Sequence, residues 1–175
     1  LAAREIFYYS QTQIQSMAMV HEQLYQSDDL QAIDAADYLS ALTAYLFRSY
    51  EVDPENVRAE VDCEHVHLSI DQAIPLALIV NELVSNSIKH GLARSSGVIA
   101  VLFRRTEGDR LTLEVHDSGH GLPDGFEMES LNSLGLQLVK ALGEQLGGAF
   151  SWESRDGTRF VLQFPYIPAK NMDLF

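Results

Sequence analysis

The spacing of apolar residues changes near Pro54, and that change limits the folds this chain can adopt. Before residue 50 the apolar residues recur at intervals of three to five positions, which is typical of helices. After Asp53-Pro54-Glu55 they alternate with polar residues over short runs, which is typical of strands. The pattern predicts an α+β architecture, in which a helical segment precedes a sheet covered on one face by helices.

The first 50 residues predict two helices separated by the polar stretch Ser27-Asp28-Asp29. The first helix spans residues 4–25, and its apolar stripe consists of Ile6, Tyr9, Ile14, Met17, Val20 and Leu24. The second helix spans residues 35–50, with Asp34 placed to cap its N terminus. Because an exposed apolar stripe favours association, we expect the first helix to support a homodimer.

The rest of the chain predicts six strands and two further helices. A turn at residues 62–64 separates the first two strands, and Asp71 is placed to cap the helix that follows. The strands are expected at residues 57–61, 65–70, 98–105, 111–116, 149–153 and 159–164, and the helices at 71–90 and 134–146. We divide the chain into a helical segment (1–50), a second domain (51–168) and a tail (169–175).

Composition excludes several classes of partner. The chain has 12 basic and 25 acidic residues, a net charge of −13, which argues against binding to nucleic acid or to an anionic membrane. Its longest apolar run, residues 73–80, is too short to span a bilayer, and no signal peptide is visible. The single cysteine, Cys63, excludes an internal disulfide and is expected to be a buried thiol. We therefore expect a cytoplasmic protein.

Four short motifs follow one another in the second domain: Asn81-Glu-Leu-Val-Ser-Asn86-Ser-Ile-Lys89-His90, Asp117-Ser-Gly119-His-Gly121, Ser133-Leu134-Gly135-Leu136 and Asp156-Gly157-Thr158. Helical spacing places Glu82, Asn86 and either Lys89 or His90 on one face. An Asn oxygen together with phosphate oxygens suits Mg²⁺, Lys89 can neutralise phosphate charge, and Glu82 can hold a water. The alternative is a solvated polar face of a core helix.

Asp117 follows a predicted strand, so its carboxylate is expected at the end of that strand, facing a crevice. A carboxylate there accepts a hydrogen bond from the amino group of adenine and repels the carbonyl oxygen of guanine. Gly119 and Gly121 remove side chains where a purine must lie against backbone. A plain Asp/Gly turn is the alternative interpretation.

The third and fourth motifs supply contacts for the rest of a nucleotide. Residues 133–136 open a helix whose free N–H groups, beside Gly135, can bind phosphates. Thr158 enters a strand beside the adenine position and could reach the base through a water. The ordered set of motifs therefore predicts a site for ATP and Mg²⁺.

The histidines suggest no additional chemistry. His65 and His67 alternate onto one strand face without a third ligand nearby, so no metal site is expected there. His21 precedes Glu22, as a phosphate-accepting imidazole often precedes an acid, but it lies beside the apolar stripe. We interpret His21 as a packed structural residue.

The motifs resemble those of the ATPase superfamily that unites histidine kinases, DNA gyrase, Hsp90 and MutL. The chain is most similar to bacterial sensor histidine kinases of the HWE-like type, whose second dimerisation helix resembles residues 13–25. The resemblance implies the Bergerat-type two-layer α/β sandwich. It also implies that Asn86 is the Mg²⁺ ligand, that Asp117 reads adenine, and that Lys89 with residues 133–136 contacts the phosphates.

The chemistry implied by the resemblance is transfer of the γ-phosphoryl group of ATP to a histidine, then to an aspartate on a response-regulator receiver domain. Such kinases carry the acceptor on a first dimerisation helix, which we expect upstream of residue 1 in a larger sensor protein. These 175 residues are therefore expected to bind Mg·ATP without efficiently phosphorylating themselves. The chain departs from the family pattern at Ser133, where many relatives have glycine, and in its short segment between Gly121 and Ser133.

Three alternative functions remain open at this point. One is an ATPase of the same superfamily that uses hydrolysis to drive a conformational change, with Glu82 activating water. A second is a serine kinase of the anti-sigma-factor kind. The third is an interaction module with a nucleotide pocket and no catalysis.

Overall fold

The computed structural model describes residues 32–92, 96–122 and 134–168, together with positions 7, 10, 11, 14, 15, 18 and 22. Those seven positions are helical and exposed, in agreement with a helix in this part of the chain. Ile14, a member of the predicted apolar stripe, is 67% exposed. The other five stripe residues, His21, Ser133, the segment before it and the tail after residue 168 lie outside the described residues.

Helix α1 spans Ala35–Ser49, as predicted. The side chain of Asp34 caps it by accepting a hydrogen bond from the backbone N–H of Asp37 at 3.1 Å. Its apolar face is fully buried and consists of Tyr38, Leu39, Leu42 and Leu46. Immediately before it, β1 (Ile33–Asp34) pairs antiparallel with β3 (His67–Leu68) in a separate two-stranded sheet.

The main sheet has five strands in the order β2-β4-β5-β7-β6. Its members are β2 (Val57–Cys63), β4 (Gly97–Thr106), β5 (Arg110–Asp117), β6 (Ala149–Glu153) and β7 (Thr158–Pro165). Only the pair β2–β4 is parallel among these strands, and the remaining neighbours are antiparallel. The strands of the two hairpins β4–β5 and β6–β7 lie within one residue of the predicted ranges.

Two boundaries at the start of this region were predicted wrongly. The turn expected at residues 62–64 begins later, because Asp62 and Cys63 continue β2 by pairing with Leu102 and Phe103 of β4. The strand expected at residues 65–70 is reduced to β3, since helix α2 already begins at Ile70.

Helix α2 spans Ile70–Asn86 and continues as a π-helical turn over Ser87–Gly91. Its N-cap is Ser69, so the prediction of Asp71 as the cap was wrong. Asp71 instead lies in the first turn, where its negative charge is favourable next to the helix N terminus. Helix α3 spans Leu134–Gln145 and is followed by Gly147, whose φ of 66° turns the chain back toward the sheet.

Alternation along the strands separates a buried face of the sheet from an open one. The buried face carries Ile99, Val101, Phe103, Leu111, Leu113, Val115, Phe160, Leu162 and Phe164, and helices α1 to α3 pack against it. On the opposite face the residues of the central strands are partly exposed. This arrangement confirms the predicted two-layer α/β sandwich. None of the helices that the structure describes is long and apolar enough to cross a membrane.

Candidate functional site

Asp117 is the buried carboxylate around which the site is built. It is the last residue of β5 and pairs with Ile99 of β4 on one side and with Thr158 of β7 on the other. Strand alternation directs its side chain to the helix-covered face, where the residue is only 2% exposed. A carboxylate in such a position requires hydrogen-bond donors, because its burial removes it from water.

Three donors satisfy that carboxylate. Its Oδ1 accepts hydrogen bonds from the backbone N–H groups of Gly119 at 2.9 Å and of Thr158 at 3.4 Å. Its Oδ2 accepts one from the hydroxyl of Ser87 at 2.9 Å. Since a carboxylate oxygen can accept about two hydrogen bonds, Oδ2 can accept one more.

A cavity of about 430 Å³ opens beside Asp117. Its apolar walls come from Leu83, Leu122, Leu136 and Phe160, and its polar groups come from Asn86, Ser87, His90, Asp117 and Thr158, with Gly121 at the edge. A mostly apolar cavity of several hundred Å³ with a few convergent polar groups is the usual form of a site for a small ligand. The size and lining of this cavity suit a purine base.

The backbone at Gly119 packs directly against the backbone at Gly91, the last residue of the π-helical turn. A Cβ on Gly119 would lie 2.1 Å from the carbonyl oxygen of Gly91, and a Cβ on Gly91 would lie 2.8 Å from Oδ1 of Asp117. The N–H of His120 also donates to the carbonyl oxygen of Gly91 at 3.3 Å. The absence of a side chain at Gly119 therefore lets two backbone segments meet.

Gly121 has a different structural role. Its φ of 76° is in the left-handed region, and a Cβ there would lie 2.6 Å from Oγ of Ser154. The same hydroxyl accepts a hydrogen bond from the N–H of Leu122 at 2.7 Å. Gly121 therefore begins a turn that brings Leu122 to the cavity wall.

Four other predicted site residues line the cavity, and Glu82 does not. Asn86, His90, Leu136 and Thr158 line the cavity together with Asp117. Glu82 lies one turn before Asn86 but is 2% exposed and is not part of the cavity lining.

Lys89 and the first two residues of α3, all predicted to contact phosphates, do not line the cavity. Lys89 is exposed, and its Nζ lies 5.1 Å from the centre of the Tyr50 ring, a cation–π contact. At the start of α3, Leu134 is 70% exposed and Gly135 is partly buried.

The sequence patterns did not predict a role for Ser87, within the first motif, or for Gly91, directly after it. Both residues pack against the Asp117 carboxylate. The patterns also did not predict the apolar cavity walls at Leu83, Leu122 and Phe160. A small residue directly after Asn86 and a glycine directly after His90 were the available signals. Neither indicated by itself that the helix folds over the end of β5.

A group of titratable residues lies outside the cavity. The Nδ1 atom of His65 lies 2.9 Å from Oδ2 of Asp34, and this hydrogen bond raises the pKa of the imidazole above its usual value. With Asp37 these side chains place three ligand atoms within 4.8 Å of one another. His65 is largely exposed, and the contact joins the segment before β3 to the N terminus of α1.

The sequence and the fold both match known proteins. Residues 71–168 match the family model described as histidine kinase-, DNA gyrase B-, and HSP90-like ATPase, and residues 1–50 match a model described as histidine kinase. The sensor histidine kinase PdtaS of Mycobacterium tuberculosis is 32% identical over 166 residues, which is 93% of this chain and 33% of PdtaS. Blue-light-activated histidine kinase 2 of Erythrobacter litoralis is 29% identical over 146 residues, 79% of this chain and 42% of that protein.

The chain thus spans about a third of PdtaS and less than half of the blue-light-activated kinase. Among solved structures, the histidine kinase domain of the Erythrobacter litoralis blue-light-activated histidine kinase EL346 superposes with a TM-score of 0.81. That match has 18% identity, covers 90% of this chain and 75% of the other, and shows the shared fold. The chain therefore belongs to the histidine kinase-, DNA gyrase B- and HSP90-like ATPase family, within its sensor histidine kinase branch.

Proposed function

We propose that residues 51–168 bind Mg·ATP and present its γ-phosphoryl group for transfer to a histidine, as the catalytic core of a two-component sensor histidine kinase. The observation that carries the proposal is the Asp117 carboxylate at the edge of the cavity, with an oxygen that can accept one more hydrogen bond. Family membership supports the use of ATP.

The adenine ring is proposed to lie between the apolar cavity walls, with its amino group donating to Oδ2 of Asp117. Guanine has a carbonyl oxygen at the same position, and that oxygen would face the carboxylate without a proton between them. Thr158 is 6% exposed and lines the same cavity, so its hydroxyl can contact the base through a water. The pocket is therefore proposed to select adenine over guanine.

Asn86 is proposed as the protein ligand of Mg²⁺. It lines the cavity and is partly exposed, so its amide oxygen is accessible, and Mg²⁺ commonly takes its remaining ligands from water and phosphates. When bound, the ion neutralises charge on the phosphates, which is the main demand of phosphoryl transfer. His90, one turn further along, is proposed to contact the nucleotide at the cavity edge.

The phosphates are proposed to contact Lys89 and residues Ser133, Leu134, Gly135 and Leu136. Lys89 would have to leave the ring of Tyr50 to do so, which is a small change for an exposed lysine side chain. The first N–H groups of α3 are not used within the helix, so they can donate to phosphate oxygens.

The burial of Glu82 favours phosphoryl transfer over hydrolysis. A carboxylate that activates water must contact water beside the phosphates, whereas Glu82 is nearly inaccessible and does not line the cavity. If Glu82 contributes to catalysis, we propose that it acts through the position of Asn86, one turn along the same helix.

The relatives suggest the partners. By analogy with sensor histidine kinases, the phosphoryl group is proposed to pass from a histidine to a response-regulator receiver domain in the cytoplasm. The N-terminal helices are proposed to form a homodimer, supported by the match of residues 1–50 and by the exposed Phe7 and Ile14. We also propose that a polypeptide of these 175 residues alone does not efficiently label His21 or its other histidines.

A transfer assay with γ-labelled ATP tests this proposal. The chain is incubated with Mg·ATP and with an acceptor-bearing dimerisation helix pair from a sensor histidine kinase relative. We expect acid-labile label on the acceptor histidine, lost in Asn86→Ala and retained in the control Asn56→Ala, whose side chain bonds to Asp53 and does not line the cavity.

Label transfer, phosphate release and nucleotide binding, measured on the same protein, identify the alternatives. Acid-stable label on a protein serine would indicate a serine kinase. Steady phosphate release that disappears in Glu82→Ala would indicate an ATPase. Failure to bind any nucleotide would indicate an interaction module and would contradict the proposal.

A further inference from the structure

The π-helical turn at the end of α2 packs two of its residues against the carboxylate of Asp117. Its defining hydrogen bond runs from the N–H of Leu92 to the carbonyl oxygen of Ser87, at 2.9 Å. Within this turn the hydroxyl of Ser87 contacts Oδ2 of Asp117, and the Cα of Gly91 packs so closely that an added Cβ would lie 2.8 Å from Oδ1. The turn therefore folds over the carboxylate rather than continuing away from it.

Each oxygen of Asp117 is held by different elements. Backbone N–H groups of Gly119 and Thr158 hold Oδ1, so those two hydrogen bonds do not depend on a side chain. Oδ2 is held only by the Ser87 hydroxyl among the residues that the structure describes. Ser87 is 7% exposed and lines the cavity beside that oxygen.

We infer that Ser87 is a positioning residue for nucleotide selection. Its single hydroxyl proton is donated to Oδ2 of Asp117, which fixes the plane of the carboxylate and leaves one acceptor position on that oxygen directed at the cavity. The inference rests on the proposed function, because the group that would use this position is the amino group of adenine.

The chemistry of the pair explains why selection depends on Ser87. A carboxylate has no proton to donate, and the only proton of the hydroxyl is already engaged, so the remaining position accepts an N–H group and repels a carbonyl oxygen. Without the Ser87 hydroxyl, Oδ1 stays bound to two N–H groups, but the Asp117 carboxylate can rotate and move Oδ2. The direction in which Oδ2 accepts a hydrogen bond from the ligand is then no longer fixed.

Binding of two nucleotides to the full chain tests this inference. Calorimetric titrations use ATP and purine riboside triphosphate, which lacks only the amino group, with wild type and Ser87→Ala. The matched control is Ser85→Ala, which removes a buried hydroxyl from the same helix that bonds to the carbonyl oxygen of Asn81. Circular dichroism establishes that each variant is folded at the titration temperature.

We expect Ser87→Ala to weaken ATP binding about tenfold, the size of one hydrogen bond to a charged group. Binding of purine riboside triphosphate should change by less than about twofold, because that ligand does not use the acceptor position. Ser85→Ala should leave both affinities unchanged.

Two results would overturn the inference while leaving the proposed function intact. One is an equal loss of affinity for both nucleotides in Ser87→Ala, which would indicate a general structural role. The other is unchanged ATP binding in that variant. Failure of the wild-type protein to bind ATP would instead remove the proposed function, and the inference with it.

Discussion

Replacing Gly157 by alanine should disrupt the strand pair that holds Asp117. A Cβ at this position would lie 1.7 Å from the carbonyl oxygen of Asp117 and 3.0 Å from Cα of Ser118. The two backbone segments would have to separate by more than about 1 Å to relieve that contact. The hydrogen bond from the N–H of Thr158 to Oδ1 of Asp117 is already 3.4 Å long and would be lost.

The destabilisation follows from two contributions. Gly157 has a φ of 120°, a conformation that costs an alanine about 1–3 kcal/mol. Loss of about two hydrogen bonds where Asp117 pairs with Thr158 adds about 1 kcal/mol each. We therefore expect Gly157→Ala to lower the free energy of unfolding by about 3–5 kcal/mol, a large share of the usual stability of a domain.

Gly108→Ala is the matched control. Gly108 also has a positive φ, 73°, but nothing lies within 4 Å of the Cβ that alanine would add. Its substitution should lower the free energy of unfolding by only about 1–2 kcal/mol, from the backbone conformation alone. Urea denaturation of both variants measures the difference, and equal losses would refute the account of how Asp117 is held.

Three further predictions concern single side chains. Lys89→Ala should weaken ATP binding about five- to tenfold and leave adenosine binding unchanged, because the proposed contact is with phosphate; an equal loss for adenosine would contradict it. His65 has a raised pKa through its hydrogen bond to Asp34, so its contribution to stability is present below about pH 6.5 and is lost as pH rises through the higher folded-state pKa. Comparison of urea midpoints for wild type and His65→Ala at acidic and alkaline pH should show this difference only on the acidic side. Partial burial raises the pKa of the Cys63 thiol to about 12, so its alkylation at neutral pH should be on the order of a hundredfold slower in the native than in the unfolded protein; similar rates would contradict the raised pKa.

Local patterns were sufficient to predict most of the fold. The cap at Asp34 and the hairpin turn at Gly108 are encoded by residues close together in sequence, so α1 and β4–β5 were predicted within one or two residues. The boundary after β2 was missed because its last two residues are held by pairing with β4. That pairing joins Cys63 to Phe103, 40 residues apart, and patterns within a short stretch of sequence cannot indicate such a contact.

The site was predicted in part for a similar reason. Helical spacing identified the face that carries Asn86, but it could not show that α2 is buried on almost every side, as the burial of Glu82 requires. Spacing also assumed an α-helix through residue 90. The π turn rotates the residues after Asn86, which brings Ser87 to Asp117 and leaves Lys89 over Tyr50.

Calorimetric titration of ATP and GTP, with Mg²⁺, into wild type and Asp117→Asn tests the central claim most directly. In the wild-type protein Asp117 should favour ATP over GTP by about a hundredfold or more, because guanine directs a carbonyl oxygen at a buried carboxylate. Asparagine offers an N–H₂ group at the same position, so Asp117→Asn should bind ATP more weakly and bind GTP relatively better. Equal binding of ATP and GTP by the wild type, or an unchanged preference in Asp117→Asn, would contradict the account.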